Sequence, residues 1–316
     1  TLMRSSAASD VYKRQIMKYK SIFKLCLLTT FLSVATISCD DWTEMEIHDS
    51  QVNGFKEQNP QEYAAYTQNL RAYKATKHAV VYARLDNAPE VSIGEKDFLR
   101  ALPDSIDIVT MRNADRLSEY DREDMKLVRE DYGTKVLYYI DCTAKDKQNT
   151  SITSAVEAVR TGTFDGIALG SEGSAVDVSV LKPLVDALGQ TPCLLVFEGT
   201  PSLLPEAQRS LFNYFVLDIS AASDEYDIET SVLYATGYGK AAPDRLLLAV
   251  TPDGTLTDNN GVTRNAIAGA AYGVLNMETP LGGIAIYNIS ADYYDTDIIY
   301  KQTRGGIQFL NPTSVH

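Results

Sequence analysis

Residues 135–169 read KVLYYIDCTAKDKQNTSITSAVEAVRTGTFDGIAL. A β-branched and aromatic run, Lys135–Asp141, gives way to an amphipathic stretch, Thr150–Thr161, and then to a second run, Phe164–Leu169. That is one strand, one helix and the next strand, the unit from which parallel sheets are built. The same alternation continues on both sides. Ala79–Arg84 and Ile106–Met111 precede it, and Cys193–Glu198, Asn213–Asp218, Arg245–Val250 and Gly283–Asn288 follow. The first four runs start at 79, 106, 135 and 164, a spacing of 27 to 29 residues. Helical stretches are predicted at Glu119–Asp131, Ser174–Leu188, Leu204–Leu211, Ile228–Gly239, Val262–Met277 and Thr296–Arg304. Eight strand-helix units in about 240 residues predict an α/β fold, a (β/α)8 TIM barrel over residues 79–316. An open doubly wound sheet would carry a Gly-rich phosphate turn after its first strand, and the sequence there is RLDNAP.

Composition narrows the chemistry. The 316 residues are 45% hydrophobic and 22% charged, with 42 acidic against 29 basic side chains, which is globular in type. A net charge of -13 without a basic block repels a phosphate backbone, so no nucleic-acid partner is expected. Three His and four Cys leave little material for a His-rich zinc site or a Ser-His-Asp triad. No metal spacing is recognisable, and neither metal nor cofactor is expected.

The first 16 residues look like a translated adapter artefact. From Met17 the chain carries a basic head (Lys18, Lys20, Lys24) and an apolar core, Leu25–Ile37, too short to span a bilayer. Residues 17–38 therefore read as a lipoprotein signal peptide. Thr36-Ile37-Ser38-Cys39 resembles a bacterial lipobox, which would lipidate Cys39; Asp40 and Asp41 resemble an acidic surface-export signal. Cleavage before Cys39 removes six basic residues and one acidic one, taking the net charge from -13 to -18. The expected location is the outer membrane, lipid-anchored and facing outward. Residues 39–78 read as an acidic tether and a docking helix, in which Tyr63, Tyr66, Leu70 and Tyr73 recur on one face. In a barrel Cys142 follows the top of the third strand and Cys193 starts the fifth at its bottom, too far apart for a disulfide.

Barrel chemistry sits at the carboxyl ends of the strands. The candidates there are Arg84 and Asp86, Arg112 and Asn113, Asp141, Glu172, Glu198, Asp218, Asp253, and Tyr287 with Asn288. Several acids on one rim without His suit sugar hydroxyls or a general acid better than phosphate. The only Trp is Trp42, outside the barrel, but Tyr82, Tyr138, Tyr139, Tyr287, Tyr293 and Tyr294 lie on or just after strands, where a ring can cover a sugar face.

FDGIALGSEG, residues 164–173, resembles the signature of glycoside hydrolase family 18, Asp-Gly-x-Asp-x-Asp-x-Glu. Asp165 and Gly166 match its opening and Glu172 its final acid, while Ala168 and Gly170 replace the two middle aspartates. YYIDC stands where the family has a Ser/Gly-rich strand. NLRAYKATKH, LPDSIDIVTM and GTKVLYY resemble the Bacteroidota branch of the family. The resemblance implies cleavage with the substrate's acetamido group as nucleophile, the acid at Glu172 protonating the leaving oxygen and the aspartate at 170 orienting the acetamido group. Strand parity places Gly166, Ala168, Gly170 and Glu172 on the barrel interior. Because glycine can supply no carboxylate, the expectation is a barrel that binds N-acetylglucosamine-containing glycans of N-glycan or chitooligosaccharide type through Asp141, Glu172, Glu198, Asp218, Tyr287 and Asn288 without cleaving them, beside other surface glycan-utilisation proteins. Two alternatives stay open: an active endo-β-N-acetylglucosaminidase with Glu172 as general acid, and a structural or protein-interaction lipoprotein. The first needs a second carboxylate near Glu172. The second needs a plugged barrel mouth and exposed apolar area elsewhere.

Overall fold

The eight apolar runs close on themselves. The computed structural model describes residues 55–87, 94–143, 148–189 and 191–312; the segments read as adapter, signal peptide and acidic tether, with Cys39, lie outside them. β1 (Val80–Leu85), β2 (Ile108–Met111), β3 (Lys135–Asp141), β4 (Gly166–Gly170), β5 (Leu194–Glu198), β6 (Tyr214–Asp218) and β7 (Leu246–Val250) follow one another in parallel around a ring. After an antiparallel hairpin, β8 (Thr255–Thr257) and β9 (Thr263–Asn265), the strand β10 (Gly283–Ile286) pairs with both β7 and β1 and closes the barrel. The closing seam is tight: Gly283 has φ 153°, and a Cβ there would lie 2.7 Å from the Val80 carbonyl carbon, so the position admits only glycine.

Strand parity splits the apolar residues into two cores. Outward residues such as Val81, Val109, Tyr138, Ile167, Phe197, Leu217 and Leu248 join the helices in the larger cluster. Inward residues Tyr82, Leu137, Tyr139, Ala168, Val196, Val216, Leu247, Ala285 and Tyr287 form a second cluster inside the ring, as the period of two requires. Tyr138, grouped above with the sugar-facing tyrosines, is thereby corrected: it faces the helices and packs edge-on against Phe164 at 5.2 Å.

The helices are α1 (Phe55–Gln58), α2 (Pro60–Lys74), α3 (Glu119–Glu130), α4 (Gln148–Arg160), α5 (Val178–Leu188), α6 (Glu206–Arg209), α7 (Glu225–Gly237), α8 (Ala266–Asn276) and α9 (Lys301–Leu310). Ser118 and Asp121 form a capping box at the start of α3, of a kind that contributes about 1 kcal/mol. Three predicted helices start a turn late, the first at Val178 and not Ser174, behind its cap Asp177. Val262–Asn265 belongs to the hairpin and not to a helix, because the Asp258 carboxylate accepts the Asn260 and Val262 amides and pairs with Arg264 at 2.7 Å, fixing the turn. The last helix starts at Lys301 and not Thr296, where Asp292 accepts the amides of Gln302 and Thr303 and Tyr300 takes a left-handed turn at φ 55°. α2 does dock, rotated slightly from the predicted stripe: Thr67 and Lys74 turn inward, and Tyr63 and Tyr66 donate to Asp131 at 2.7 Å and Asp104 at 2.5 Å.

Candidate functional site

At the carboxyl ends of the strands the inward positions change from aliphatic to polar. Arg84 on β1, Thr110 on β2, Tyr139 on β3 and Glu198 on β5 are inward residues near the tops of their strands, and Tyr287 follows β10. They converge. The Glu198 carboxylate, 6% exposed, accepts from the Tyr82 hydroxyl at 2.5 Å through Oε1 and from the Arg84 guanidinium at 2.9 Å through Oε2. The Tyr82 and Thr110 hydroxyls share a further hydrogen bond. The Arg84 guanidinium lies 3.6 Å above the Tyr287 ring, a cation–π contact. Arg112 lies 5.1 Å above the Tyr139 ring.

The electrostatics follow from these contacts. Burial, reinforced by the nearby Glu198 charge, pushes the Tyr82 and Tyr287 phenols well above their ordinary value. Burial works to discharge Arg84, but the Glu198 carboxylate more than offsets it, so the guanidinium is held more firmly protonated than usual. The Glu198 carboxylate is thus engaged at both oxygens, by a phenol at one and a guanidinium at the other. Tyr82 itself is fully buried.

Gly170, which stands where the resembled signature has an aspartate, has no room for a side chain. A Cβ on Gly170 would lie 2.6 Å from Tyr139 Cζ and 2.8 Å from Cε2. The phenol of the neighbouring strand occupies the place that a side chain at 170 would need. Glu198 is Gly170's partner in the β4–β5 register, so the barrel interior holds one carboxylate here, contributed by β5 and not β4.

Glu172 is not on the interior, contrary to the parity argument. β4 ends at Gly170, and Ser171 to Ser174 form a turn closed by the Ser174 amide on the Ser171 carbonyl at 2.8 Å. Alternation is lost with the strand: Glu172 is exposed at φ 43°, a left-handed conformation. Asp141 and Asp218 reach the rim, where each carboxylate is turned back on its own loop. Asp141 Oδ1 accepts the Thr143 amide at 2.8 Å and its hydroxyl at 2.6 Å, and Asp218 Oδ1 accepts the Ser220 amide at 2.9 Å and its hydroxyl. Asn288 is exposed at φ 49° beside Tyr287. Asp86 is exposed, 3.7 Å from Arg112; Asp253 is exposed; and Asn113 is locked to Asn87 by three hydrogen bonds.

Of the six expected binding residues the structure therefore brings Glu198 and Tyr287 into one network, sets Asp141, Asp218 and Asn288 around it, and leaves Glu172 out. Thr110 was missed, and the Tyr82–Glu198 pairing was invisible, because both depend on which inward positions stand level across the ring. No group of three His, Cys, Asp or Glu able to hold a metal occurs among the described residues.

Comparison with known proteins places this geometry. Residues 43–161 match the family described as glycoside hydrolase family 18, BT1044-like. No curated protein matches the chain. Among solved structures, a BT1044 variant is 19% identical and superposes with a TM-score of 0.67, over 81% of this chain and 95% of that one. An endo-beta-N-acetylglucosaminidase from Cordyceps militaris is 16% identical with a TM-score of 0.58, over 78% and 96%. A family 18 chitinase from Pseudoalteromonas aurantia is 13% identical with a TM-score of 0.54, over 73% and 100%. Identities this low speak for the shared barrel and not for shared chemistry. Over residues 43–161 the chain resembles that family, and its eight-stranded closed barrel is the fold it shares with these solved structures.

Proposed function

We propose that this protein is a non-hydrolytic family 18-like barrel that binds N-acetylglucosamine-containing glycan across the rim of its mouth, held at the outer cell surface by a lipid on Cys39. The observation that carries the first part is the Tyr139 phenol in the space of a side chain at 170, with the one interior carboxylate, Glu198, already bound by Arg84 and Tyr82. Substrate-assisted cleavage needs a carboxylate poised on the acetamido group and a second acid at the leaving oxygen; here position 170 carries none, and Glu172 is exposed on the turn after β4. Binding asks for less. Asp141, Asp218 and Asn288 offer hydrogen-bonding groups around a floor of Arg84 on Tyr287 and Arg112 on Tyr139. The ligand class is supported by the Cordyceps militaris enzyme, a mutant of which was crystallised with fucosyl-N-acetylglucosamine-Asn.

Titration calorimetry of the mature protein with N-glycans and chitooligosaccharides tests this. Binding weakened by Asp218→Ala, Asn288→Ala and Arg112→Ala, with unfolding midpoints unchanged, supports the reading; no binding to any member of the panel, or binding indifferent to all three, contradicts it. The anchor is tested separately by the mass of the amino-terminal peptide, expected to begin at an acylated Cys39 and lost on Cys39→Ala.

A second reading, a protein-interaction lipoprotein, is favoured by one feature. α7 exposes Tyr226, Leu233, Tyr234 and Tyr238, the last at 73%, with the rings of Tyr234 and Tyr238 5.1 Å apart. An exposed aromatic face of this kind on the barrel wall is the pattern expected of a protein-binding surface.

A further inference from the structure

Under the barrel, at the end opposite Asp141 and Asp218, the strand starts surround a hollow of about 1040 Å³. Its floor is the lowest inward layer, where Val80, Leu194 and Tyr214 stay partly exposed. The volume is of the size that holds a small organic molecule.

The walls carry an uneven charge. Lys74, Lys77, His78 and Lys135 line the hollow, against Asp107 and Asp244. Asp107 is already used, its Oδ1 by His78 Nε2 at 2.9 Å and its Oδ2 by the Val81 amide at 2.8 Å. Lys135 has only Asp165 within reach, at 3.7 Å, and Asp165 is held at both oxygens by Arg129, at 2.8 and 3.2 Å. Lys77 is exposed and pairs with no carboxylate among the described residues. The Lys74 ammonium donates to the carbonyls of Asp104 and Ile106 and to the Thr134 hydroxyl, all neutral acceptors, with the Asp107 and Asp104 carboxylates nearby offsetting part of its burial. Burial still lowers it to about 8. In a chain with 42 acidic and 29 basic residues, a hollow lined by three lysines against two carboxylates, with His78 paired to one of them, is a local reversal of sign.

We propose that this hollow binds a small organic anion, a phosphate or carboxylate head between Lys77 and Lys135 carried on an aromatic or aliphatic body that covers Val80, Leu194 and Tyr214. The apolar floor selects against bare inorganic anions, since their hydration shell would be lost against a surface that offers it nothing in return. The rim lysines select against the neutral analogue. The site is independent of the glycan reading, lying at the other end of the barrel.

The test is titration calorimetry of the full mature protein with phenyl phosphate, with benzoate as the carboxylate arm and with inorganic phosphate and phenol as controls. Phenyl phosphate or benzoate should bind at least about tenfold more tightly than either control, and the doubly reversed Lys77→Glu, Lys135→Glu variant should lose at least about tenfold in affinity. Lys126→Glu with Lys182→Glu, a double reversal of equal charge at exposed positions on α3 and α5, should keep wild-type affinity. All four substitutions sit at exposed positions, and an unchanged circular dichroism spectrum checks the fold. No binding by the wild-type chain, binding equal to that of the controls, or a loss no greater in the Lys77→Glu, Lys135→Glu variant than in the Lys126→Glu, Lys182→Glu variant overturns the proposal.

Discussion

Gly170 should be intolerant of any side chain while Tyr139 is present. Alanine at 170 adds one carbon, 2.6 Å from Tyr139 Cζ and 2.8 Å from Cε2, well inside contact distance. The ring cannot swing away cheaply, because it is 7% exposed, belongs to the inner cluster and carries the Arg112 guanidinium. Overpacking of this kind costs about 1–3 kcal/mol, and Gly170→Ala should lose about 2 kcal/mol. Gly170→Asp adds a carboxylate desolvated beside its register partner Glu198, for a further cost of about 1–3 kcal/mol. The single tryptophan, Trp42, precedes the described residues, so urea unfolding is best followed by far-ultraviolet circular dichroism. Combining Gly170→Ala with Tyr139→Ala should give a double variant more stable than the sum of the two single losses by about 1–2 kcal/mol, because each relieves the other's defect. Additive losses, or a Gly170→Ala midpoint equal to wild type, would refute the claim that the phenol leaves no room for a side chain at 170.

Other outcomes follow from the same geometry. Glu198→Ala leaves Arg84 without its buried carboxylate and should cost about 3 kcal/mol, whereas Glu172→Gly relieves a left-handed residue and should be neutral or stabilising in the same denaturation assay. His78 presents one ring nitrogen to Asp107 and the other to the Thr76 carbonyl, both acceptors, so the doubly protonated ring is the form that satisfies both. The Asp107 hydrogen bond, against an opposing effect of burial, raises its pKa above 6.5; its stabilisation is therefore complete below about 6.5 and is lost as pH rises through the raised value. Wild type minus His78→Gln in melting temperature should shrink across that window, and a difference constant with pH would count against the pairing. Cys142 and Cys193 form no disulfide; burial pushes Cys142 up to about 12 and raises Cys193 less, so iodoacetamide at pH 8 should label Cys193 first, and equal rates would contradict the burial of Cys142.

The barrel was legible because every parallel strand, covered on both faces, leaves a continuous apolar run: Lys135–Asp141 was read to the residue, and the other seven runs lie within two residues of the strands. The short hairpin β8–β9 was not, since three-residue strands carry no periodicity and their register is set by the Asp258 turn. At the site, parity identified the interior faces of β4 and β5 but was carried two residues past the end of β4, which is where Glu172 went wrong. Strand ends are set by the turn that follows, here the Ser171–Ser174 hydrogen bond, and not by the alternation that precedes it. Tyr139 filling the space at Gly170 is a contact between neighbouring strands, which no reading along one strand contains.

The most direct test of the account is a turnover measurement: the mature protein incubated with N-glycans and chitooligosaccharides, product followed by mass spectrometry, beside Glu172→Gln and Glu198→Gln variants. Each absent carboxylate removes about 2.7–4 kcal/mol of transition-state stabilisation, and the account predicts no product above the buffer control from any of the three proteins while calorimetry still reports ligand binding to the wild type. Product released by the wild-type chain and abolished by Glu172→Gln would contradict it, and would return the exposed Glu172 to the role of general acid.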